Sequence, residues 1–459
     1  MISINTLPDD VLIAIFDQYV NGGTQHPIIR GKAWQSLVHV CRRWRSIIFE
    51  SPRHLDLQLV CRERTRAKDT LDVWPVLPLI IECQRGYEIG RVDNIITVLE
   101  RSDRVCRIEL ADVRSSDLEI FLAAMQQSFP ELTDLLLRSV AKVVPVVPDS
   151  FFGGSAPRLK TLKLDDIPFP GLPKLLLSAT QLVTLHLSHI PHSGYFSPDM
   201  MGTALSTLTS LESLSLQFQS PRSCPDQASR RPPPSTRSVL PVLGSFQFQG
   251  VTEYLEDLVA CIDAPRLNNS EITFFNDTVF DTPHFIQFMS RTPVSRELER
   301  AYLTLRNREA GVGFSSISSR APGVRIFSVN ILCHGLDWQL SSLEQVCTSC
   351  LPPLSMLEDL YVHEDRNSEP DWKDDIENGL WLQLLQPFTT VKNLHLSKKI
   401  SRHIGPALQE LAEGITTEML PALQNILLGG IESLGPAREG IGKFAAARQV
   451  ASRPIQVYY

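Results

Sequence analysis

A chain of 459 residues, 43% hydrophobic and 21% charged, holds apolar material for a large core and the charge of an ordinary water-facing surface. Lys plus Arg number 44 against 51 Asp plus Glu, a net charge of −7, so no basic excess supplies counterion release and nucleic acid is not an expected partner. No apolar run reaches the roughly 18 residues of a membrane-spanning helix, so no membrane is expected either.

The first element is "INTLPDDVLIAIFDQYV" (4–20). Thr6 and Asp9 stand at capping-box spacing and Pro8 suits a first turn, which predicts a helix starting within a residue or two of Leu7. Leu7, Val11, Leu12, Ile15, Phe16 and Tyr19 make one apolar face, and Gly22-Gly23 ends it. A second apolar set, Trp34, Leu37, Cys41, Trp44 and Ile48, recurs at steps of three and four, with Arg42, Arg43 and Arg45 on its outer side. Two or three short helices spanning 1–52 make a thin domain with more apolar surface than they can bury against one another. Either they cap the rest of the chain, or they dock on a partner.

Residues 53–99 read as a linker and N-terminal cap, with strands over "HLDLQLV" (54–60) and "PLIIEC" (78–83). From about residue 100 one phrase recurs: apolar, two others, apolar, one other, apolar. It reads Val105-Ile108-Leu110, Leu132-Leu135-Leu137, Leu159-Leu162-Leu164, Leu182-Leu185-Leu187 and Leu211-Leu214-Leu216. It continues as Leu243-Phe246-Phe248, Val324-Phe327-Val329, Leu357-Leu360-Val362, Val391-Leu394-Leu396 and Leu423-Ile426-Leu428, with looser copies at Ile272/Phe274 and Leu303/Leu305. The phrase is a short strand with alternate side chains turned inward. Helix-like stretches such as "SPDMMGTALSTL" (197–208) and "GPALQELAEGI" (405–415) lie between copies. One strand and one helix at intervals of 20–30-odd residues predict an α/β fold, a leucine-rich-repeat solenoid over 100–441 with about twelve irregular strand–helix units. A doubly wound sheet also alternates strands and helices, but repetition of one phrase fits it less well.

The stretch 219–241 carries six prolines and no periodicity, and reads as a surface loop inserted in the array. A helix over 442–453 and a strand over 454–459 form the expected C-terminal cap. Within each repeat strand, the residues between the apolar ones face the other side of the sheet. Tyr and Arg are common interface anchors. Tyr302, Arg306, Tyr361 and His363 are therefore the candidate target contacts on that face.

Catalytic and metal-binding patterns are scarce. "GPAREGIGK" (435–443) resembles a phosphate loop, but Ile441 stands where the lysine belongs. "GGSAP" (153–157) lacks the second glycine of a nucleophile elbow. His186, His189 and His192 are spaced by threes, yet Pro191 interrupts any helix that would align them. The pair Cys347/Cys350 has no partner pair at zinc-binding distance. No enzyme activity, metal or cofactor is expected. Nine scattered cysteines and no basic residue among the first 20 suit a cytoplasmic or nuclear protein.

"LPDDVLIAIFDQYV" followed by "LVHVCRRWRSIIFES" resembles an F-box in its Leu-Pro-acid-acid opening and its Val-Cys-Arg-x-Trp close. The linker between, 21–33, is longer and more polar than that family's usual turn, and its effect on three-helix packing separates docking from mere capping. "DRVCRIEL", "FGGSAPRLKTLKL", "PHSGYFSP" and "EYLEDLVACIDAP" resemble the F-box/leucine-rich-repeat proteins of mushroom-forming fungi. This resemblance implies a substrate receptor of a cullin–RING ubiquitin ligase, a small helical F-box followed by a solenoid that holds a target protein. Leu7, Pro8, Leu12, Ile15, Phe16, Val40, Cys41 and Trp44 would then supply or support the adaptor-binding surface. The alternative is a non-catalytic repeat scaffold without ligase assembly.

Overall fold

The computed structural model describes residues 7–21, 27–52, 54–55, 57–62, 66–83, 92–141, 143–221, 237–275, 280, 282–296, 298–316, 326–333, 335–349, 351, 354, 356–364, 377–413, 419–429 and 435–458. The predicted proline-rich insertion lies largely outside these residues, as do Cys350 and most of the acidic stretch 363–377. The chain folds as two compact units, Met1–Phe196 and Ser197–Tyr459.

The first unit begins with three helices, α1 (Asp9–Asn21), α2 (Pro27–Val38) and α3 (Arg42–Glu50), packed on one another. The backbone from Pro27 through the supposed linker is thus helical, and the second apolar set divides between α2 and α3 on either side of Cys41. Leu12, Phe16 and Val20 of α1, Trp34, Leu37 and Val38 of α2, and Ile47 and Ile48 of α3 are buried. The Phe16 and Trp44 rings meet at 4.8 Å. Arg43 closes the bundle, its Nη2 donating to the Leu7 carbonyl at 2.6 Å and to Asp9 Oδ1 at 2.5 Å. Trp34 fastens the helices to the sheet by donating from Nε1 to the Gln58 carbonyl at 3.1 Å.

Six strands follow: β1 (Leu59–Arg62), β2 (Leu79–Cys83), β3 (Val105–Val113), β4 (Asp134–Ser139), β5 (Thr161–Asp165) and β6 (Thr184–Ile190). They pair in chain order, every pair parallel. Helices α4 (Ala67–Val73), α5 (Val92–Leu99), α6 (Ser115–Ala124) and α7 (Leu172–Leu176), with a 3-10 turn at Phe151–Gly154, make the return crossings. Register explains the repeated phrase: Ile108, Leu135, Leu162 and Leu185 stand side by side, as do Leu110, Leu137, Leu164 and Leu187. Each leucine covers its neighbour's, and nearly all are fully buried.

The second unit opens with α8 (Pro198–Leu205), whose Ser197 hydroxyl accepts from the Met200 N–H. Then come β7 (Ser213–Phe218), β8 (Ser238–Val239), β9 (Ser245–Gly250), α9 (Thr252–Ala260), β10 (Ile262–Asp263), β11 (Asn269–Phe275) and α10 (Pro283–Ser290). The middle holds β12 (Arg300–Leu305), β13 (Ala310–Ser315), β14 (Phe327–Leu332) and α11 (Leu336–Ser349). The last part runs β15 (Asp359–Glu364), α12 (Asn378–Leu385), β16 (Asn393–Leu396), α13 (Lys398–Glu413), β17 (Asn425–Leu428), α14 (Gly435–Val450) and β18 (Gln456–Tyr458). Strands β8 and β10 pair apart from the main sheet.

All twelve phrases lie in or just before strands of the two units, but their expected sequential order fails in the second. There the order is β7-β9-β11-β14-β13-β12-β15-β16-β17-β18, with β13 antiparallel to both neighbours. Strand β13, "AGVGFS", turns Ala310, Val312 and Phe314 inward and glycines outward, so it carries no leucine phrase. A tight hairpin joins it to β12, closed by Arg306 N–H donating to the Glu309 carbonyl at 2.8 Å. Tyr302 lies opposite Gly313 across that hairpin, an aromatic beside a bare glycine.

The stretch that resembled a phosphate loop is helical and forms the start of α14. Its Gly440 lies so close to α13 that a Cβ there would fall 2.3 Å from the Gly405 carbonyl oxygen. The glycine serves helix packing, not phosphate. The C-terminal cap helix therefore begins at Gly435, ahead of the expected 442. Buried Arg448 holds it in place through the Leu420 and Pro421 carbonyls at 3.3 Å each.

Helix α10 starts at Pro283, and its first N–H groups have no partner within the helix. Glu256 of α9, 5% exposed, accepts from the His284 N–H at 2.9 Å and the Phe285 N–H at 2.7 Å. Glu256→Ala strands both donors and is expected to destabilise the protein by about 1–3 kcal/mol in denaturant titration. Glu256→Gln keeps an acceptor and should lose less.

Candidate protein-interaction surfaces

Helix α1 is apolar on two sides. Its inner stripe, Leu12, Phe16 and Val20, is 0–5% exposed; its outer stripe, Val11, Ile15 and Tyr19, is 42–57% exposed. Both stripes step by four residues, so each is a continuous ridge along the helix. The eight residues expected at the adaptor surface therefore divide. Leu12 and Phe16 lie in the bundle core and support the surface from within. Pro8, Ile15 and Val40 are exposed, while Leu7, Cys41 and Trp44 are half-buried. The enclosed Trp44 indole nitrogen has no hydrogen-bond partner among the described residues. Val11 and Tyr19, on the expected apolar face but outside the expected contact set, complete the outer ridge.

The open sheet face of the second unit carries the other candidates. Parallel register sets its side chains in rows one strand apart. Tyr302, Tyr361 and His395 occupy one row. Their rings stack, Tyr302 on Tyr361 at 4.8 Å and Tyr361 on His395 at 4.0 Å, both nearly coplanar. His363, in the next row, meets the Tyr302 ring edge-on and shares a hydrogen bond with the Thr304 hydroxyl at 3.3 Å. Three of the four expected target contacts are thus brought together. Arg306 is not: it sits at the β12–β13 hairpin, ion-paired with Glu309 at 2.9 Å. His395 joins the stack in its place, because the strand that bears it is the next in the ladder.

Beside the rings runs a polar row. Arg300 meets Asp359 at 3.4 Å, Asn393 donates to Asp359 at 2.6 Å, and Asn425 donates to Asn393 at 2.7 Å. Burial raises the Tyr361 phenol's pKa, with the Asp359 charge adding. Hydroxyl edges, amides and one internally paired charge make a surface of low net charge, of the composition common in protein-recognition loops.

The open face of the first unit differs. It carries Arg62 with Glu82 at 3.1 Å, Arg107 with Glu109 at 3.2 Å, and Arg138 between Asp112 and Asp165 at 3.4 Å each. A small cavity among Leu164, Phe169, Leu172, Leu187 and Phe196 is lined by no titratable side chain. Cys61 and Cys333 are core residues: burial pushes both thiols up to about 11, far from a reactive thiolate.

No protein-family model and no curated protein matches this chain. Among solved structures it is similar to the crystal structure of the leucine-rich repeat-containing protein LegL7 from Legionella pneumophila, at 12% identity, over 85% of this chain and 97% of that one, with a TM-score of 0.28. So loose a superposition adds no weight to the strand ladder itself.

Burial lowers the pKa of His395 below its ordinary 6.5, against the pull of Asp359. A ring neutral in the fold but free to protonate when unfolded favours unfolding as pH falls. Its stabilising contribution is complete above about 6.5 and is lost as pH drops towards the lower folded value. Denaturation midpoints measured from pH 7.5 downward should fall more steeply for wild type than for His395→Phe, which keeps a ring without the titration.

Proposed function

We propose that this chain is the substrate receptor of a cullin–RING ubiquitin ligase, its N-terminal helices docking the adaptor and its repeats holding a target protein. The observation that carries the reading is the second apolar ridge of α1. A helix that only capped the repeats would need one apolar stripe, already spent on α2, α3 and Trp44. Val11, Ile15 and Tyr19 form a further stripe on the outside, with Pro8 at its head. The backbone of the polar 21–33 segment is helical from Pro27 and belongs to α2, which packs on α1 and α3.

Target holding belongs on the second unit's open face, through Tyr302, Tyr361, His363 and His395. The repeat architecture by itself supports a protein-interaction scaffold, and among the described residues no helix is long and apolar enough to cross a membrane. The seven described cysteines are all free thiols, in keeping with a reducing cytoplasm or nucleus.

The test is co-elution of the purified chain with the ligase adaptor on size exclusion, wild type beside Val11→Asp/Ile15→Asp. Exposed positions leave the fold intact, so the variant's circular dichroism and melting temperature should match wild type. Loss of anchors worth about 2 kcal/mol each should weaken the complex at least thirtyfold. Phe16→Asp would abolish the complex by unfolding the bundle and so discriminates nothing. Absence of any wild-type complex would leave a scaffold without ligase assembly.

A further inference from the structure

Asp165, Asp166 and His189 converge where β5 and β6 end, their ligand atoms all within 4.8 Å of one another. His189 Nδ1 shares a hydrogen bond with Asp165 Oδ1 at 2.8 Å and stands 4.0 Å from Asp166 Oδ2, so a metal ion would take the place of that bond. Neighbours in a strand would point to opposite faces. Asp166 takes a left-handed φ of 57° and His189 one of 49°, which lets both reach the side that Asp165 faces. Asp and His are among the residues that tolerate this region best.

Asp112, Asp165 and Asp166 bring three carboxylates to this edge, and the Arg138 guanidinium reaches Asp112 and Asp165. Among the described residues, Asp166 has no ion-pair neighbour except His189 at 4.0 Å. Burial raises its carboxyl pKa, against the pull of the His189 and Arg138 charges.

We infer that Asp165 Oδ1, Asp166 Oδ2 and His189 Nδ1 form a binding site for a divalent transition metal of the zinc or cobalt kind. The 2.8 and 4.0 Å gaps bracket the ligand spacing of about 3.4 Å set by a tetrahedral ion with bonds of about 2.1 Å. An imidazole with two carboxylates suits such an ion better than calcium or magnesium, which take oxygen donors. Arg138, on the second oxygen of Asp165, orients that ligand as outer partners of metal sites do. With His189 55% exposed, the site stays open to water at its remaining position. This inference is independent of ligase assembly.

The test uses the full chain stripped with a chelator, titrated with cobalt(II) by visible absorption and with zinc(II) by calorimetry. Wild type should bind one equivalent without a sulfur-to-cobalt charge-transfer band. His189→Ala and Asp166→Asn should each raise the dissociation constant about tenfold or more, while His192→Ala, three residues along, leaves it unchanged. Asp166→Asn preserves side-chain shape and keeps the test decisive if His189→Ala fails to fold. No saturable binding, equal binding by wild type and the folded variants, or a sulfur band at the first equivalent would each overturn the assignment.

Discussion

A strand of five or six residues and one short helix cannot bury their own leucines; only the next unit can. Everything in this molecule depends on that shortfall. It forces the strands into parallel register, so that Ile108, Leu135, Leu162 and Leu185 become neighbours although more than twenty residues of chain separate each from the next. It also means that a terminal strand must be covered by something else. In the first unit α2 packs beside β1, its Trp34 bonded to the backbone leading into that strand; in the second, α14 and β18 close the ladder beside β17, with Arg448 bonded to the backbone leading into it.

The same register organises the outer face. Whatever residue sits two places along one strand faces its counterpart on the next, so chemistry accumulates in rows. In the first unit the rows pair charges, and at the ends of β5 and β6 two aspartates and a histidine meet. In the second unit they stack rings and link amides. The two faces therefore differ in character, one lined by paired charges and the other by stacked rings and amides.

Much of this was legible in one dimension, because a two-residue alternation bounded by leucines admits little besides a repeat strand. The described residues of all twelve phrases lie at strands, and the first helix was visible in its spacing. What escaped did so for physical reasons. Strand β13 is held by Ala310, Val312 and Phe314 with glycines between, too little side chain for a pattern search. The crossing that places β12 beyond β13 and β14 depends on which edges are free, which no local pattern encodes. Helix α2 begins inside a segment that reads as polar. Arg306 looked like a contact because its residue type suits interfaces, yet a hairpin turned it towards Glu309. His189 was weighed against other histidines, whereas its neighbours are aspartates on the adjacent strand.

The functional account stands on α1 having two apolar faces, one for its own bundle and one to spare. Hydrogen exchange read by mass spectrometry, on the full chain alone and with the ligase adaptor, tests this most directly. The account requires new protection confined to residues 7–21 and the turn at Val40–Cys41, with the repeat strands unchanged. Unchanged exchange in α1, or protection appearing on the sheet instead, would contradict it.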